Sequence, residues 1–500
     1  MSALRRIAAS PALLALCGIV ALGAVLRFAT LDLQSYRYDE AVTVGRVLHP
    51  SLFSTFSAVS HSESTPPLYY VGAWLWSRPF GTGELWMRSL SALVGTGSIL
   101  AIYFAALALP LPRRAGLVAA ALVAVSPVMV WFSQDARAYA LVFLLTALSF
   151  LFFARARRRV GRHDLLWWAI FSSLAIATHY FAAFVVAAEA ILLLLGPNRR
   201  GAIVAVLAVA VASASLAPIA LRQAEHNHAG WIGQEPIGER LERAGAKLVG
   251  ADNGDEHGAR QAGPIPLVVP AALALAAIVL LLLLADPGER RTAGLAALVG
   301  GGAVAAPLLL AVLGVDFLDG RNLLPAFVPL IVLLGAGFGL RRAGTAGLAP
   351  AAVLCLCSLV FTLEIDRLPR LQREDLRNAA AEVGALGPQS AVVTSRYSAG
   401  QPLLYYLDAR FAQRSLPPLR EIDLVGSSSA GRSAGRLLPP AFRLVDSKPV
   451  SYEFTLTRFR SPRPVRVSLS ALERGALIGG GRSASVLISP SASTGPAPGR

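Results

Sequence analysis

The sequence of 500 residues is poor in charge, and this shortage limits what kind of protein it can be. Only 15% of the residues are charged, whereas 55% are hydrophobic and the mean hydropathy is +0.56. The apolar residues come in long uncharged runs instead of being distributed around a soluble core. These features exclude a soluble multidomain protein and indicate a polytopic membrane protein.

Lysine is nearly absent, since Lys247 and Lys448 are the two lysines and the remaining basic residues are arginines. The net charge of +16 and the pI near 10.6 would also suit a protein that binds nucleic acid. The arginines, however, fall mostly in short clusters between hydrophobic runs, as they do in cytoplasmic loops of membrane proteins. We therefore expect no nucleic-acid partner.

Cysteine is also scarce. Cys17, Cys355 and Cys357 all lie in apolar runs, and two residues that are two positions apart on a helix point in different directions. The sequence therefore predicts neither a disulfide nor a cysteine metal site, and the C-terminal region must fold without bridges.

Hydrophobic runs predict an α-helical polytopic membrane protein with about eleven transmembrane helices. The first run, residues 11–28, is long for a signal peptide and is followed by further runs, so we interpret it as an uncleaved anchor. The other predicted spans are residues 85–109, 115–132, 138–154, 165–178, 181–195, 201–220, 265–285, 293–314, 323–340 and 346–363.

Arginine clusters predict the orientation of these spans. If the Arg-rich loops are cytoplasmic, the opposite side of the membrane receives the loops 30–84 and 221–264, three short turns and everything after about residue 364. Residues 66–80 are then an interfacial helix, because counting them as a span would invert every later loop. The block 165–195 is short for two spans and indicates two broken helices that meet near His179.

The C-terminal region changes character and predicts a small extracytoplasmic α/β domain. We expect a transmembrane module over residues 1–363, the α/β domain over 364–490 and a disordered tail over 491–500. Within the domain the patterns predict one helix over 374–386 and short strands over 391–394, 442–445, 451–459 and 465–469.

Acidic and basic residues that could perform chemistry all fall on the predicted outer side. Each also has an ordinary structural interpretation: Asp39 and Glu40 could begin a helix, Glu63 could face water, and His179 could be a satisfied residue of the bundle. The remaining candidates, Asp135 with Arg137 and Asp316 with Asp319 and Arg321, could be ordinary turns. Their agreement on one membrane face favours a site that binds an anionic lipid headgroup and abstracts a proton.

The order of short motifs resembles the protein O-mannosyltransferase and aminoarabinose-transferase group of GT-C glycosyltransferases, whose bacterial relatives are mannosyltransferase-like membrane proteins. The resemblance covers roughly residues 10–410. It is carried by Tyr38-Asp39-Glu40, by Glu63 to Tyr70, by Phe80-Gly81 with Glu84 to Arg88, by Ser133 to Tyr139, by Thr178 to Phe181 and by Gly320 to Pro325.

This resemblance implies that a sugar is transferred from a polyprenyl-phosphate donor to an acceptor on the outer face. It implies that Asp39 is the catalytic base, with Glu40 beside it and Asp135 as a further acid. Thr65 occupies a position where the family often has His or Lys, so one phosphate contact is in question. The remaining residues that it implies for donor and phosphate binding are Tyr69, Arg137, Tyr139 and Arg321.

The chemistry of such a site is coherent. Arg137 or Arg321 would stabilise the leaving phosphate, while Asp39 takes the proton of an acceptor that attacks from the opposite face and inverts the anomeric carbon. A divalent metal could be held by Glu63 and His179, but this ligand set is too small to predict one. A glycine fingerprint for a nucleotide does not appear, in agreement with a lipid-linked donor.

The sequence leaves the acceptor open among a lipid, a cell-wall glycan and a protein. A transporter or flippase of a lipid-linked saccharide is the alternative, because it would also need charges at this depth. That alternative predicts paired halves with internal repeats, and the sequence shows no clear repeat.

Overall fold

The computed structural model describes residues 11–158, 161–226, 230–253, 265–413, 415–427, 434–479 and 483–491. The chain divides into two compact units. The first comprises Met1–Leu31 and Val47–Leu371, and the second comprises Asp32–Arg46 and Gln372–Arg500. Residues 32–46 of the predicted outer loop therefore fold with the C-terminal region.

The described residues of the first unit form helices joined by turns and loops, without a strand. Short π and 3-10 segments cover Thr43–Val47, Ile232–Gln234 and Pro369–Leu371, and residues 43–46 of the first segment belong to the second unit. In chain order, and with α2 belonging to the second unit, the helices are α1 (Pro11–Phe28), α2 (Tyr38–Val42), α3 (Leu52–Ser62), α4 (Leu68–Phe80), α5 (Glu84–Ala108), α6 (Arg113–Val125), α7 (Pro127–Ser133), α8 (Tyr139–Arg158), α9 (Arg162–Thr178), α10 (Ala182–Leu194), α11 (Arg199–Ala214), α12 (Ala217–His226), α13 (Ile237–Leu248), α14 (Val268–Leu284), α15 (Pro287–Val312), α16 (Leu324–Phe338) and α17 (Leu348–Arg367).

Helix lengths confirm a polytopic membrane protein but not the count of eleven spans. Among the described residues, five helices are long and apolar enough to cross a membrane, namely α1, α5, α8, α15 and α17. The number rises to seven if the bent pairs α6 with α7 and α11 with α12 are each one span. Three shorter apolar helices, α10, α14 and α16, account for most of the difference, because 13 to 17 residues rise less than the roughly 30 Å of a bilayer core.

A buried arginine stabilises the bend between α6 and α7, which differ in direction by 60°. Pro127 begins α7 and has no backbone N–H, so the carbonyl of Val123, four residues earlier, loses its helical partner. Arg27 of α1 is fully buried and its Nη2 donates to the Val123 oxygen at 2.8 Å. Its Nη1 donates to the oxygen of Ala124 at 3.0 Å. Arg27 thus fixes the bend that leads into the turn at residues 134–138.

A carboxylate joins three helices inside the first unit. Glu189 of α10 is fully buried and its Oε2 accepts hydrogen bonds from Ser149 of α8 at 2.7 Å and from the Trp168 indole of α9 at 2.8 Å. Ser149 also bonds to Ser172 of α9 at 2.8 Å. This polar contact explains how the short helix α10 packs against its neighbours, since buried polar groups need partners.

The second unit confirms the predicted C-terminal α/β domain and contains a six-stranded sheet in the order β2-β6-β1-β3-β5-β4. Strands β1 and β3 are parallel, and the other pairs are antiparallel. The elements are α18 (Leu376–Val383), β1 (Ser390–Ser395), α19 (Gly400–Tyr406), β2 (Arg410–Phe411), β3 (Leu419–Gly426), β4 (Arg443–Pro449), β5 (Thr455–Val465), α20 (Leu469–Leu472), a 3-10 turn (Gly475–Ile478) and β6 (Ala484–Ile488).

Strand boundaries in this domain differ from the pattern predicted by the sequence. The two predicted strands at 451–459 and 465–469 are replaced by the single strand β5, and the central strands β3 and β6 were not predicted. Strand β6 is buried along its whole length, so it lacks the alternation of polar and apolar residues that marks a half-exposed strand. The predicted tail lies outside the described residues except for Ser491.

Candidate active site

An ion pair between Glu63 and Arg137 lies at the centre of the candidate site in the first unit. Glu63 follows the end of α3, and Arg137 lies in the turn between α7 and α8. Nη1 of Arg137 lies 2.8 Å from Oε1 of Glu63, and its Nη2 lies 2.8 Å from Oε2. Both side chains are buried. Two parallel contacts of this length are the strongest form of an arginine–carboxylate interaction.

Aromatic and hydroxyl groups surround this pair. The Arg137 guanidinium lies 5.8 Å from the centre of the Tyr70 ring, and the Tyr70 hydroxyl bonds to Thr65 Oγ1 at 3.0 Å. Tyr69, a predicted donor-binding residue, is buried and its ring packs edge-on against Tyr70. Thr65 is buried too, and its carbonyl accepts a hydrogen bond from Gln223 at 2.9 Å. The residue found where a basic side chain was expected therefore has a structural role.

Asp135 lies in the same turn as Arg137. It is buried, and the backbone N–H of Arg137 donates to the Asp135 carbonyl at 2.8 Å. The turn thus ties the backbone of the predicted acid directly to that of the arginine that binds Glu63.

His179 lies in the turn between α9 and α10, where the sequence predicted a break. It is buried, its Nδ1 accepts a hydrogen bond from the backbone N–H of Phe181 at 3.3 Å, and its ring lies 6.0 Å from that of Tyr139. Burial, and then the charges of Arg321 and Arg137, lower the pKa of His179 to about 3. The imidazole is therefore neutral at physiological pH, and the fold brings both predicted arginines into electrostatic range of His179.

The turn before α16 carries Arg321. The Arg321 guanidinium lies 5.1 Å from the centre of the Trp231 ring, and its Nε lies 3.9 Å from Oδ1 of Asp319. The same Asp319 oxygen accepts the backbone N–H of Arg321 at 3.0 Å, and Asn322 donates to the Phe317 carbonyl at 2.7 Å. The turn is therefore internally bonded, and it presents Arg321 against an aromatic ring from another segment.

Helix α13 holds this turn through residues that sequence reasoning missed. Arg240 donates from Nη1 and Nη2 to the carboxylate of Asp316 at 2.7 and 2.6 Å, and to the Leu318 carbonyl at 2.6 Å. The hydrogen bond from Arg240 is the main reason that the pKa of Asp316 is lowered. Lys247 is also buried, and its side chain lies 3.1 Å from where a Cβ of Gly320 would be. Arg240 and Lys247 are seven residues apart and therefore lie on one face of the helix. This spacing is the sequence feature that could have indicated them.

A divalent metal does not fit the residues that the sequence suggested for it. Both carboxylate oxygens of Glu63 face the guanidinium of Arg137 at 2.8 Å. Across the described ranges, histidine, cysteine, aspartate and glutamate nowhere form a group of three that could hold an ion. The ion pair therefore occupies the carboxylate that a metal would need.

The second unit contains the other candidate acids, Asp39 and Glu40, and distinguishes them by burial. Glu40 is fully buried, and its Oε2 accepts hydrogen bonds from Arg373 Nη1 at 3.2 Å and from the backbone N–H of Arg37 at 3.2 Å. The Asp39 side chain is 29% exposed, and its Oδ2 lies 3.8 Å from Nη2 of Arg37. Asp39 is thus the accessible carboxylate of the two.

Residues of the C-terminal domain hold the loop that carries Asp39. Ser35 Oγ donates to the Glu374 carbonyl at 2.6 Å and accepts the backbone N–H of Leu376 at 3.0 Å. The backbone N–H of Tyr36 donates to the Tyr406 hydroxyl at 2.7 Å. These contacts join positions about 340 and 370 residues apart, so no local pattern could have indicated them.

Comparisons with known proteins agree with this architecture. Residues 64–221 match the family described as dolichyl-phosphate-mannose-protein mannosyltransferase. The structure of ArnT from Cupriavidus metallidurans bound to undecaprenyl phosphate has a TM-score of 0.55 at 12% identity, covering 88% of this chain and 97% of ArnT. Its apo structure gives 0.57 at 12% identity, covering 88% and 96%. A search of curated proteins found no match. The predicted GT-C fold with a C-terminal sheet domain is confirmed.

Proposed function

We propose that this chain, a membrane protein with the GT-C fold of the mannosyltransferase and ArnT type, is a glycosyltransferase that uses a polyprenyl-phosphate-linked sugar donor. It transfers the sugar to an acceptor at the outer face of the plasma membrane, with inversion at the anomeric carbon. The observation that carries the proposal is the convergence of Arg137, His179 and Arg321, from three turns far apart in the sequence, at one place in the first unit. The likeness to ArnT bound to undecaprenyl phosphate supports a donor of that class.

Arg321 is the residue that we assign to the donor phosphate. As the glycosidic bond breaks, negative charge grows on the leaving phosphate, and a guanidinium stabilises it through paired hydrogen bonds. Both terminal nitrogens of Arg137 already contact Glu63 at 2.8 Å. Arg137 therefore contributes mainly its positive electrostatic field and the positioning of neighbouring groups. Trp231 fixes the plane of the Arg321 guanidinium, which reduces the entropy lost when phosphate binds.

Neutral aromatic groups complete the donor part of the proposal. His179 keeps its proton on Nε2, because Nδ1 accepts the Phe181 N–H. A neutral imidazole donates a hydrogen bond without repelling the neighbouring arginines. Tyr139 lies beside this ring and Tyr69 lies against Tyr70, and we keep both as aromatic walls of the donor site.

Asp39 is the proposed catalytic base. It accepts the proton of the acceptor hydroxyl as that oxygen attacks the anomeric carbon, and the lipid phosphate leaves with the bonding electrons. A base must be ionised and reachable, and the side chain of Asp39 is 29% exposed whereas that of Glu40 is 0% exposed. We assign Glu40 to positioning, since it connects the loop to Arg373, and Asp135 to positioning of Arg137.

Transfer by purified protein tests this proposal. The protein is reconstituted in liposomes with radiolabelled polyprenyl-phosphate sugars and a membrane extract as acceptor. We expect Asp39→Asn to lower transfer roughly 10²- to 10⁴-fold, the usual contribution of a general base, without changing the melting temperature. The matched control is Asp446→Asn, an exposed acid on β4 of the same unit, which should transfer normally.

Two outcomes would overturn the proposal. Normal transfer by Asp39→Asn would remove Asp39 from the role of base. Movement of the labelled lipid between leaflets, without any transfer by the wild-type protein, would instead favour a flippase.

A further inference from the structure

We infer that the turn after β1, with Arg396 and Tyr397, forms an acceptor-binding site together with Tyr38 and Arg46, and that the acceptor is an anionic saccharide. The inference rests on the proposed function, because it assigns the acceptor side of the same reaction. It concerns the second unit alone, where all of these residues lie.

Packing of two helices brings the turn to the candidate base. Helix α19 packs against α2, which begins at Tyr38, and the turn with Arg396 and Tyr397 leads from β1 into α19. The phenol of Tyr38 is in electrostatic range of Asp39, Arg46, Arg396 and Tyr397. Two segments about 350 residues apart in the chain therefore meet beside the same carboxylate.

Exposed groups make this a surface for a ligand instead of an internal ion-pair network. Arg46 and Arg396 are exposed, and in the part of the chain that the structure describes neither makes a hydrogen bond or ion pair. Tyr397 is 58% exposed. Tyr38 is half-buried, and burial followed by the charge of Asp39 raises its pKa, so its hydroxyl stays protonated and can donate.

Charge indicates the class of acceptor. Arg46 and Arg396 are both in electrostatic range of Tyr38, and Asp39 is the acid that acts on the same phenol. Arg37 lies 3.8 Å from Asp39, whereas the charge of Glu40 is already balanced by Arg373. The surface is therefore positive in excess and suits a phosphate or carboxylate group. The exposed ring of Tyr397 offers a flat apolar surface to the face of a sugar ring. A saccharide hydroxyl would then lie at Asp39 while its anionic group lies at Arg396 and Arg46.

Binding of small sugars tests this inference without depending on turnover. Saturation-transfer NMR on the full-length protein in nanodiscs would use glucose 6-phosphate, glucuronate, glucose and inorganic phosphate as probes. We expect the two anionic sugars to bind and glucose to bind at least about fivefold more weakly, as expected for loss of one or two charged contacts. Arg396→Gln and Tyr397→Ala should weaken binding of the anionic sugars by a similar factor, while Arg396→Lys should retain part of it.

The matched control is Arg443→Gln, which removes an exposed arginine from β4 and should bind as the wild type does. A preference for glucose 6-phosphate over glucuronate would identify a phosphorylated saccharide, and the reverse would identify a uronate. Equal binding of glucose, unchanged binding by Arg396→Gln and Tyr397→Ala, or binding of inorganic phosphate alone would each overturn the inference. Asp39→Asn should still bind these probes, so failure of the proposed reaction and failure of this site are distinguishable.

Discussion

Breaking the ion pair between Glu63 and Arg137 from one side should destabilise the protein more than removing both charges. The side chains are 3% and 8% exposed and meet in two contacts of 2.8 Å. Arg137→Met leaves the Glu63 carboxylate buried without its cation, which costs about 3–5 kcal/mol of unfolding free energy, and Glu63→Gln strands the guanidinium at a similar cost. The double variant has neither buried charge and should lose only about 1–3 kcal/mol.

The expected coupling free energy between the two positions is therefore at least about 3 kcal/mol, or more than a hundredfold in the folding equilibrium. Reversible unfolding of the four proteins in a denaturing detergent mixture measures it. The pair Arg460 and Glu421 of the second unit provides the control, since their side chains are 55% and 22% exposed although Nε and Oε2 lie 2.8 Å apart. Its coupling should stay below about 1 kcal/mol, as for other exposed pairs.

Additive costs of the two single variants would refute this reasoning. Such a result would mean that Arg137 leaves Glu63 easily and is as available to the donor phosphate as Arg321. The assignment of Arg321 as the main phosphate ligand would then have to be withdrawn.

Three further outcomes follow from other contacts of the first unit. Because the folded-state pKa of His179 is about 3, well below that of an unfolded histidine, the unfolding free energy should fall as the pH drops from about 6.5 toward 3, by up to about 1.4 kcal/mol per pH unit. When unfolding is measured at several pH values, His179→Gln should show a smaller dependence of the unfolding free energy on pH than the wild type. Equal dependence in the two proteins would contradict the burial of a neutral His179. Arg27→Leu should lower the unfolding free energy by about 2–5 kcal/mol, because it leaves the Val123 and Ala124 carbonyls without their hydrogen-bond donor. Arg27→Lys should recover part of the lost melting temperature. No recovery would argue that Arg27 does not stabilise the bend through these carbonyls. Arg240→Gln should raise the donor KM about 5- to 30-fold with little change in kcat, because Arg240 positions the turn that carries Arg321. The control Arg243→Gln removes the half-exposed pair with Glu235 and should leave the donor KM unchanged. A change in kcat alone in Arg240→Gln would contradict this positioning role.

Hydrophobic runs predicted the existence of most helices but not how many of them span the membrane. The break at His179 was predicted, because a polar triplet interrupts an apolar block. The bend at Pro127 was not, although a proline inside a predicted span of 115–132 was a signal for it. Its stabilisation by Arg27 could not be predicted, since Arg27 appears in the sequence as the charged end of a separate helix.

Candidate site residues were easier to find than the groups that hold them. Glu63, Arg137, His179 and Arg321 were identified because charges at a membrane face are costly unless they are used. Arg240 gave a weaker signal, because an amphipathic helix usually turns its arginines toward water and here one is buried against Asp316. The sequence gives the chemistry of a residue, whereas its partner depends on a fold that joins distant segments.

Asp39 and Glu40 are neighbours of nearly equal chemistry, and only their positions on α2 separate them. Consecutive helical residues differ in direction by about 100°, so one of the two can face the domain while the other faces solvent. Glu40 faces the domain and meets Arg373, and the loop is fixed there by a buried charge pair at 3.2 Å. Such a pair restrains the backbone that carries Asp39 and leaves free of this contact the carboxylate that we propose as the base. An acidic pair can therefore be required for catalysis although only one of its members ever accepts a proton.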